Sequence, residues 1–200
     1  MNFLAHLYLG NIDKEIVLGN FIADGIRANN YHHFSNKIQF GIKMHREIDV
    51  FTDQHLIFRQ SKRRLNPKYR LYKGIIIDLI YDHFLAKNWA KYSAIPLTNY
   101  STAVYSLLQH HNKILPTRTQ HILPYMTTQN WLCMYGTISG ITSILHDMNV
   151  RTKGKSKMDQ AIEDLLENYT IFEQDFTLFF EELKKFSEHY LLKYDSKSTK

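Results

Sequence analysis

Carboxylates and imidazoles recur in this sequence at positions that a helix would bury. At about 100° per residue, Ile38, Ile42, His45 and Asp49 fall on one narrow stripe, with Asp53 at its margin. Leu71, Asp78, Asp82, Leu85 and Trp89 form a second stripe, on a helix that Ile75, Ile76, Ile77 and Leu79 make apolar nearly all round. His83 follows Asp82 directly and points about 100° away from it. Asp24 closes the stretch GNFIAD, and His6 interrupts an apolar N-terminal segment. An ionised carboxylate is very costly to bury alone, so each buried Asp here needs hydrogen bonds, a cationic partner or a metal.

Taken singly, each residue has an ordinary reading: a satisfied core histidine, or an Asp–Arg network with Arg46 or Arg151 as the partner. Taken together, the oxygen and imidazole donors suit Mg²⁺, Mn²⁺ or Fe²⁺ better than a metal that prefers thiolate. The expected chemistry is attack of a cation-activated water on phosphorus or carbon. Other templates are missing: no His-Glu-x-x-His, no Glu-x-x-His, no Gly-rich phosphate loop and no Gly-x-Ser-x-Gly elbow. Cys133 lies among Trp131, Leu132, Met134 and Tyr135, a setting that argues against a nucleophile.

The elements that must position these groups read as helices. With 8 Gly and 4 Pro in 200 residues, and no sustained period-2 alternation, the class is all-α, a single-domain helical bundle. Asp13 caps a helix to about Arg27, Asn36 opens one through Thr52, and a third spans about Leu71 to Ala90. Pro96 with Thr98 opens another, and Pro116 and Pro124 punctuate the next stretch. Met158, Ile162, Leu165, Tyr169, Phe172, Phe176, Phe179, Leu183, Phe186 and Tyr190 alternate by four and three, a helix seam whose aromatics suit packing within the same bundle. The domain is expected over residues 1–194, with 195–200 a mobile tail and Arg151 to Ser156 a mobile segment.

A single cysteine excludes an internal disulfide and fits a reducing, cytoplasmic compartment. The N-terminus lacks a basic stretch and a cleavage pattern, so it reads as folded protein. Apolar runs are broken by Asp and His before the roughly 18 residues a membrane span needs, so no membrane partner is expected. A net charge of +6 would attract a polyanion or an acidic protein. The excess is densest over Arg59, Lys62, Arg63, Arg64, Lys68, Arg70 and Lys73, which reads equally well as a solvated surface.

The segments MNFLAHLYL, LGNFIAD, GIKMHREIDVFTDQH, GIIIDLIYDHFLAKNWA, WLCMY and MNVRT resemble, in that order, segments of the acyl carrier protein phosphodiesterase family, from residue 1 to about 152. The chain departs from the family pattern at Leu56, after His55, and at Gly25, after Asp24. The resemblance implies a helical fold similar to the HD-domain phosphohydrolases and a need for Mn²⁺ or Mg²⁺. It also implies hydrolysis of the phosphodiester between a carrier-protein serine and 4′-phosphopantetheine, giving apo carrier protein. The motif residues it carries over are His6, Asp24, His45, Asp49, Asp78, Asp82 and His83. From these, His6, Asp24, His45, Asp49, Asp82 and His83 are expected to hold the metal, and Asp78 to act in catalysis. Arg46 or Arg151 would contact the phosphate, and Arg59, Lys62, Arg63 and Arg64 the acidic carrier protein. Two alternatives stand beside this reading: a nucleotide phosphohydrolase of HD type, and a basic helical module binding nucleic acid through the Arg59–Lys73 stretch. A nucleic-acid module would not require carboxylates on buried faces.

Overall fold

A computed structural model describes residues 2–10, 13–27 and 29–198, with side chains through residue 194. Its described residues form α-helices joined by turns and short 3₁₀ segments, with no strand among them. The helices are α1 (Phe3–Leu9), α2 (Lys14–Ile22), α3 (Asn36–Gln54), α4 (Leu56–Arg64), α5 (Lys73–Lys87), α6 (Leu97–His110), α7 (Thr117–Thr128), α8 (Trp131–Met134), α9 (Ile138–Arg151), α10 (Ala161–Glu167) and α11 (Tyr169–Ser198). Their buried apolar residues make one core.

Helix α5 runs through the middle of that core. Ile76, Ile77, Leu79, Ile80, Tyr81, Phe84 and Leu85 are fully buried, as an apolar circumference requires. The helix starts at Lys73, two residues later than its sequence suggests. Arg70 takes φ 50° and ψ −120°, which breaks the helix there and leaves Leu71 95% exposed instead of on the buried stripe. Against α5 lies α11, where Phe172, Phe176, Phe179 and Leu183 are buried and pack on α3, α4 and α5. Each such burial is worth about 1.5–3 kcal/mol. The aromatic seam therefore serves the chain's own bundle, although a turn at Asn168 divides it between α10 and α11.

Capping follows the sequence with small shifts. The Asp13 carboxylate accepts the N–H groups of Glu15 and Ile16, and Ser35, one residue before the expected Asn36, accepts that of Ile38. Helix α2 stops at Ile22 and tightens into a 3₁₀ turn, Ala23–Gly25, which turns Asp24 outward. The segment expected to be mobile after Arg151 is a hydrogen-bonded turn: Thr152 Oγ1 donates to Ser156 Oγ at 2.7 Å, and the fully buried Ser156 hydroxyl donates to Asn149 Oδ1 at 3.0 Å. Of the stretch expected as a mobile tail, 195–198 continue α11, and residues 199 and 200 lie outside the described residues.

Helices α2 and α3 cross in close backbone contact. A Cβ on Gly19 would lie 2.1 Å from the Ile38 carbonyl oxygen, and one on Gly41 would lie 2.3 Å from that of Ile16. Only glycine permits this approach. It sets Asn20 and Asp24, which follow Gly19, against His45 and Asp49, which follow Gly41. Among the described residues no helix is long and apolar enough to cross a membrane.

Candidate metal centre

Helix α1 is placed from below by Asp82. Its carboxylate, fully buried in α5, accepts the Leu4 N–H at 2.8 Å and the Ala5 N–H at 3.2 Å, so it sits at the positive end of α1. That fixes His6 one turn further on. Asn20 then fixes the ring: its Nδ2 donates to the His6 carbonyl at 2.7 Å, which turns its Oδ1 towards His6 Nδ1 at 2.9 Å. An amide oxygen only accepts, so Nδ1 carries the hydrogen and Nε2 of the neutral ring carries a lone pair. Burial, with the charge on His45, lowers the His6 pKa to about 4 and keeps the ring neutral at pH 7.

That lone pair meets Asp49. His6 Nε2 lies 3.2 Å from Asp49 Oδ1 without hydrogen-bond geometry. His45 stacks on His6 with ring centroids 3.9 Å apart and planes 22° from parallel. Its Nε2 lies 3.2 Å from both Asp24 Oδ1 and Asp49 Oδ2. Burial would lower the His45 pKa, but these two carboxylates prevail and raise it to about 9. Burial would likewise raise Asp49, yet the hydrogen bond and the charge of His45 hold it well below the usual carboxylate range. Asp24 is lowered too, chiefly by its hydrogen bond with His45.

One donor atom each from His6, His45 and Asp49 lies within 4.8 Å of the others, close enough to share one cation. The fit is chemical as well as geometric. A buried imidazole lone pair facing a carboxylate oxygen is repulsive unless a positive charge lies between them, and His45 Nδ1 is buried with no partner of its own. Asp24, with 76% of its side chain exposed, borders the cluster on the solvent side. Two imidazoles with carboxylate oxygens suit a divalent ion such as Mn²⁺ or Fe²⁺, and Mg²⁺ less closely.

Two cavities meet at this cluster. One, about 230 Å³, is lined by Asp24, His45, Asp49, Thr52, Asp53 and Asp78. The other, about 250 Å³, shares Asp24 and Asp78 and includes Phe3, Phe21, Arg118 and Arg151. Burial raises the Asp78 pKa. An apolar recess lined by Phe3, Leu79, Trp131, Ile144 and Met148 continues from Arg151.

Of the residues expected here, the structure gathers His6, Asp24, His45 and Asp49, with Asp78 over the same cavity and Arg151 on the adjoining one. It does not bring in Asp82 and His83, and the reason is hydrogen bonding. Both Asp82 oxygens are occupied by α1 amides. Both His83 nitrogens are occupied as well: Nδ1 donates to the Tyr135 carbonyl at 2.7 Å, and Nε2 accepts from the Tyr169 hydroxyl at 2.8 Å. Arg46 lies over the Tyr31 ring, 5.1 Å from its centroid, with Nη2 3.5 Å from the Ile26 carbonyl, and is not on the wall of either cavity. In the basic stretch, Arg64 donates to Asp175 Oδ2 at 3.1 Å and ties α4 to α11, so it is a structural contact more than a free docking charge. Lys62 lies 3.6 Å from Asp53, while Arg59 and Arg63 are exposed. Sequence reasoning missed Asn20 and Arg118. Asn20 sits inside the LGNFIAD segment next to the crossing glycine, a polar residue in an otherwise apolar run from Ile16 to Ile22; Arg118 carries no local signal.

Comparison with known proteins gives the same direction. A sequence model described as acyl carrier protein phosphodiesterase matches residues 1–183. The chain is 32% identical over 183 residues to an acyl carrier protein phosphodiesterase of Photorhabdus laumondii, covering 90% of this chain and 91% of that protein. It is 31% identical to one of Yersinia enterocolitica and 29% identical to one of Pectobacterium atrosepticum, in each case over 181 residues, 90% of this chain and 94% of the relative. No solved structure matches. On the extent of these matches, the chain belongs to the acyl carrier protein phosphodiesterase family.

Proposed function

We propose that this chain hydrolyses the phosphodiester between 4′-phosphopantetheine and the serine of an acyl carrier protein, with a divalent cation held by His6, His45 and Asp49 and bordered by Asp24. The observation that carries the metal reading is the His6 lone pair set 3.2 Å from Asp49 Oδ1; the family supplies the substrate. The donors come from an i, i+4 pair on α3 and a histidine on α1, so any likeness to HD-domain phosphohydrolases rests on this arrangement and not on the adjacent Asp82–His83 pair.

A divalent ion supplies charge that makes a water more acidic and neutralises growing charge on phosphoryl oxygens. The remaining work falls to the chain. His6 and His45 are held by stacking and by Asn20, so little reorganisation is needed when substrate binds. Asp24, ionised and open to solvent, is placed to accept a proton from the attacking water. Asp78, whose raised pKa favours the protonated form, is placed to give one to the departing serine oxygen. Arg151, on the adjoining wall, offers a cationic contact to the phosphoryl group. Exposed Arg59 and Arg63, with Lys62 and the projecting Leu71, offer an acidic carrier protein a basic surface with an apolar tip.

Mass spectrometry of holo carrier protein incubated with the enzyme and Mn²⁺ tests the reaction: the carrier should lose about 340 Da, with oxygen-18 from water in the released phosphate if water attacks phosphorus. Label on the serine would mean carbon–oxygen cleavage. An unchanged mass with metal-loaded enzyme would favour a nucleotide phosphohydrolase instead.

A further inference from the structure

The cavity that shares Asp24 and Asp78 with the metal cluster carries two arginines on its wall, Arg118 and Arg151. They come from different elements, the first turn of α7 and the last residue of α9. What brings α7 here is Gly25: a Cβ at that position would lie 2.6 Å from Pro116 Cγ, so only glycine lets the start of α7 close on the turn that carries Asp24.

Among the described residues neither arginine forms an ion pair. Arg151 directs Nη1 at Met148 Sδ, 3.4 Å away, a weak acceptor. The carboxylates on the same cavity are otherwise engaged, Asp24 with His45 and Asp78 by burial that disfavours its charge. Burial and the charge of Arg118 both act against the charged form of Arg151, so the two guanidinium groups sense one another across the cavity. Pro116, at the N-cap of α7, gives its first amides no side-chain acceptor, which adds to the positive potential. Like charges held together in this way are relieved by an anion between them, and paired guanidinium groups match the geometry of phosphate oxygens.

We propose that Arg118 and Arg151 form an anion subsite, apart from the His6–His45–Asp49 cluster, that takes the phosphomonoester end of the released pantetheine group. The identity of that group rests on the proposed hydrolysis. The diester substrate carries one negative charge on phosphorus, whereas the monoester product carries close to two at pH 7. Two cationic groups therefore favour product over substrate, and the pair determines how tightly product is retained.

The probe is inorganic phosphate, titrated calorimetrically into the full chain in excess chelator. Saturable binding is expected, weakened about tenfold in Arg118→Gln and in Arg151→Gln, as loss of one charge-assisted contact implies, and unchanged in the exposed control Lys113→Gln. Arg118→Lys keeps the charge without the planar fork and should weaken binding several-fold, which preserves the test if the glutamine variant misfolds. Phosphate affinity unaltered in the Arg118 variants, or binding that appears only after Mn²⁺ is added, overturns the subsite. Holo carrier protein left intact while phosphate binds as described would refute the hydrolysis and leave the subsite standing.

Discussion

Asn20 and His6 exchange two contacts, amide Nδ2 to the His6 carbonyl at 2.7 Å and amide Oδ1 to the His6 ring Nδ1 at 2.9 Å. The pair decides which face of the imidazole carries the lone pair, and so prepares a ligand without touching the metal position itself. Outer contacts of this kind are typically worth about 10–100-fold in metal affinity. Asn20→Ala should weaken Mn²⁺ binding by about that factor while the protein remains folded. Titration of the chelated variant measures it, and an affinity equal to wild type would remove Asn20 from the site.

Metal binding should also release a proton. Near neutral pH the metal-free His45 is charged, with its pKa raised to about 9, while His6 is already neutral and Asp24 and Asp49 are ionised. Only His45 has a proton to give up, so calorimetry at pH 7 in buffers of different ionisation enthalpy should show about one proton released per ion. Affinity should climb about tenfold per pH unit until the pH reaches about 9. The same raised pKa stabilises the metal-free fold: that contribution is complete below the unfolded value near 6.5 and is lost as pH rises through about 9. Binding with no proton release would mean that His45 is not a ligand.

How far the site could be read in advance differs between its members. His45 and Asp49 were legible because an i, i+4 pair on one apolar stripe has few reasons to be polar, and the same pattern fixed the course of α3. Asp82 and His83 show the same interruption of a buried stripe but satisfy it locally, one with the amides of α1 and the other with Tyr135 and Tyr169. Periodicity reports that a polar group is buried; it does not report what the group faces. Leu71 was placed in a helix by its spacing, yet positive φ at Arg70 breaks the chain first, a tertiary constraint with no glycine to announce it. Arg118 reaches the cavity only through the Gly25–Pro116 contact, 91 residues apart in sequence, which one-dimensional patterns cannot contain.

Asp82 offers a direct test of that distinction. If it holds α1 and not the ion, Asp82→Asn keeps one acceptor and loses another, leaving a buried amide unmatched at a cost of about 1–3 kcal/mol. Denaturant melts should show that loss while Mn²⁺ affinity stays within a few-fold of wild type. His83→Gln should behave in the same way. Loss of stoichiometric metal binding in either folded variant would return that residue to the ligand set.

The crossing of α2 and α3 makes the sharpest demand on sequence. In an ordinary exposed helix, replacing glycine by alanine stabilises by about 1 kcal/mol, so Gly41→Ala would be favourable if local propensity decided. Here the new methyl would lie 2.3 Å from the Ile16 carbonyl oxygen and 2.9 Å from the Asn20 nitrogen, both backbone atoms that no rotamer change can move. Overpacking typically costs about 1–3 kcal/mol, and with backbone on the far side the upper end applies, so the clash outweighs propensity by about 2 kcal/mol. For a chain of this size that corresponds to a Tm lower by roughly 4–8 °C. The consequence reaches the site because the strain is relieved only by moving α2 away from α3. Asn20 and Asp24 travel with α2 while His45 and Asp49 stay with α3, so the 3.2 Å contact of His45 with Asp24 and the alignment of His6 are lost together. Gly41→Ala and Gly19→Ala should therefore lower Tm and weaken Mn²⁺ binding in parallel, whereas an alanine at Gly74, where nothing lies closer than 3.9 Å to the added carbon, should do neither. A Gly41→Ala protein with wild-type Tm and full metal affinity would show that this crossing does not set the site.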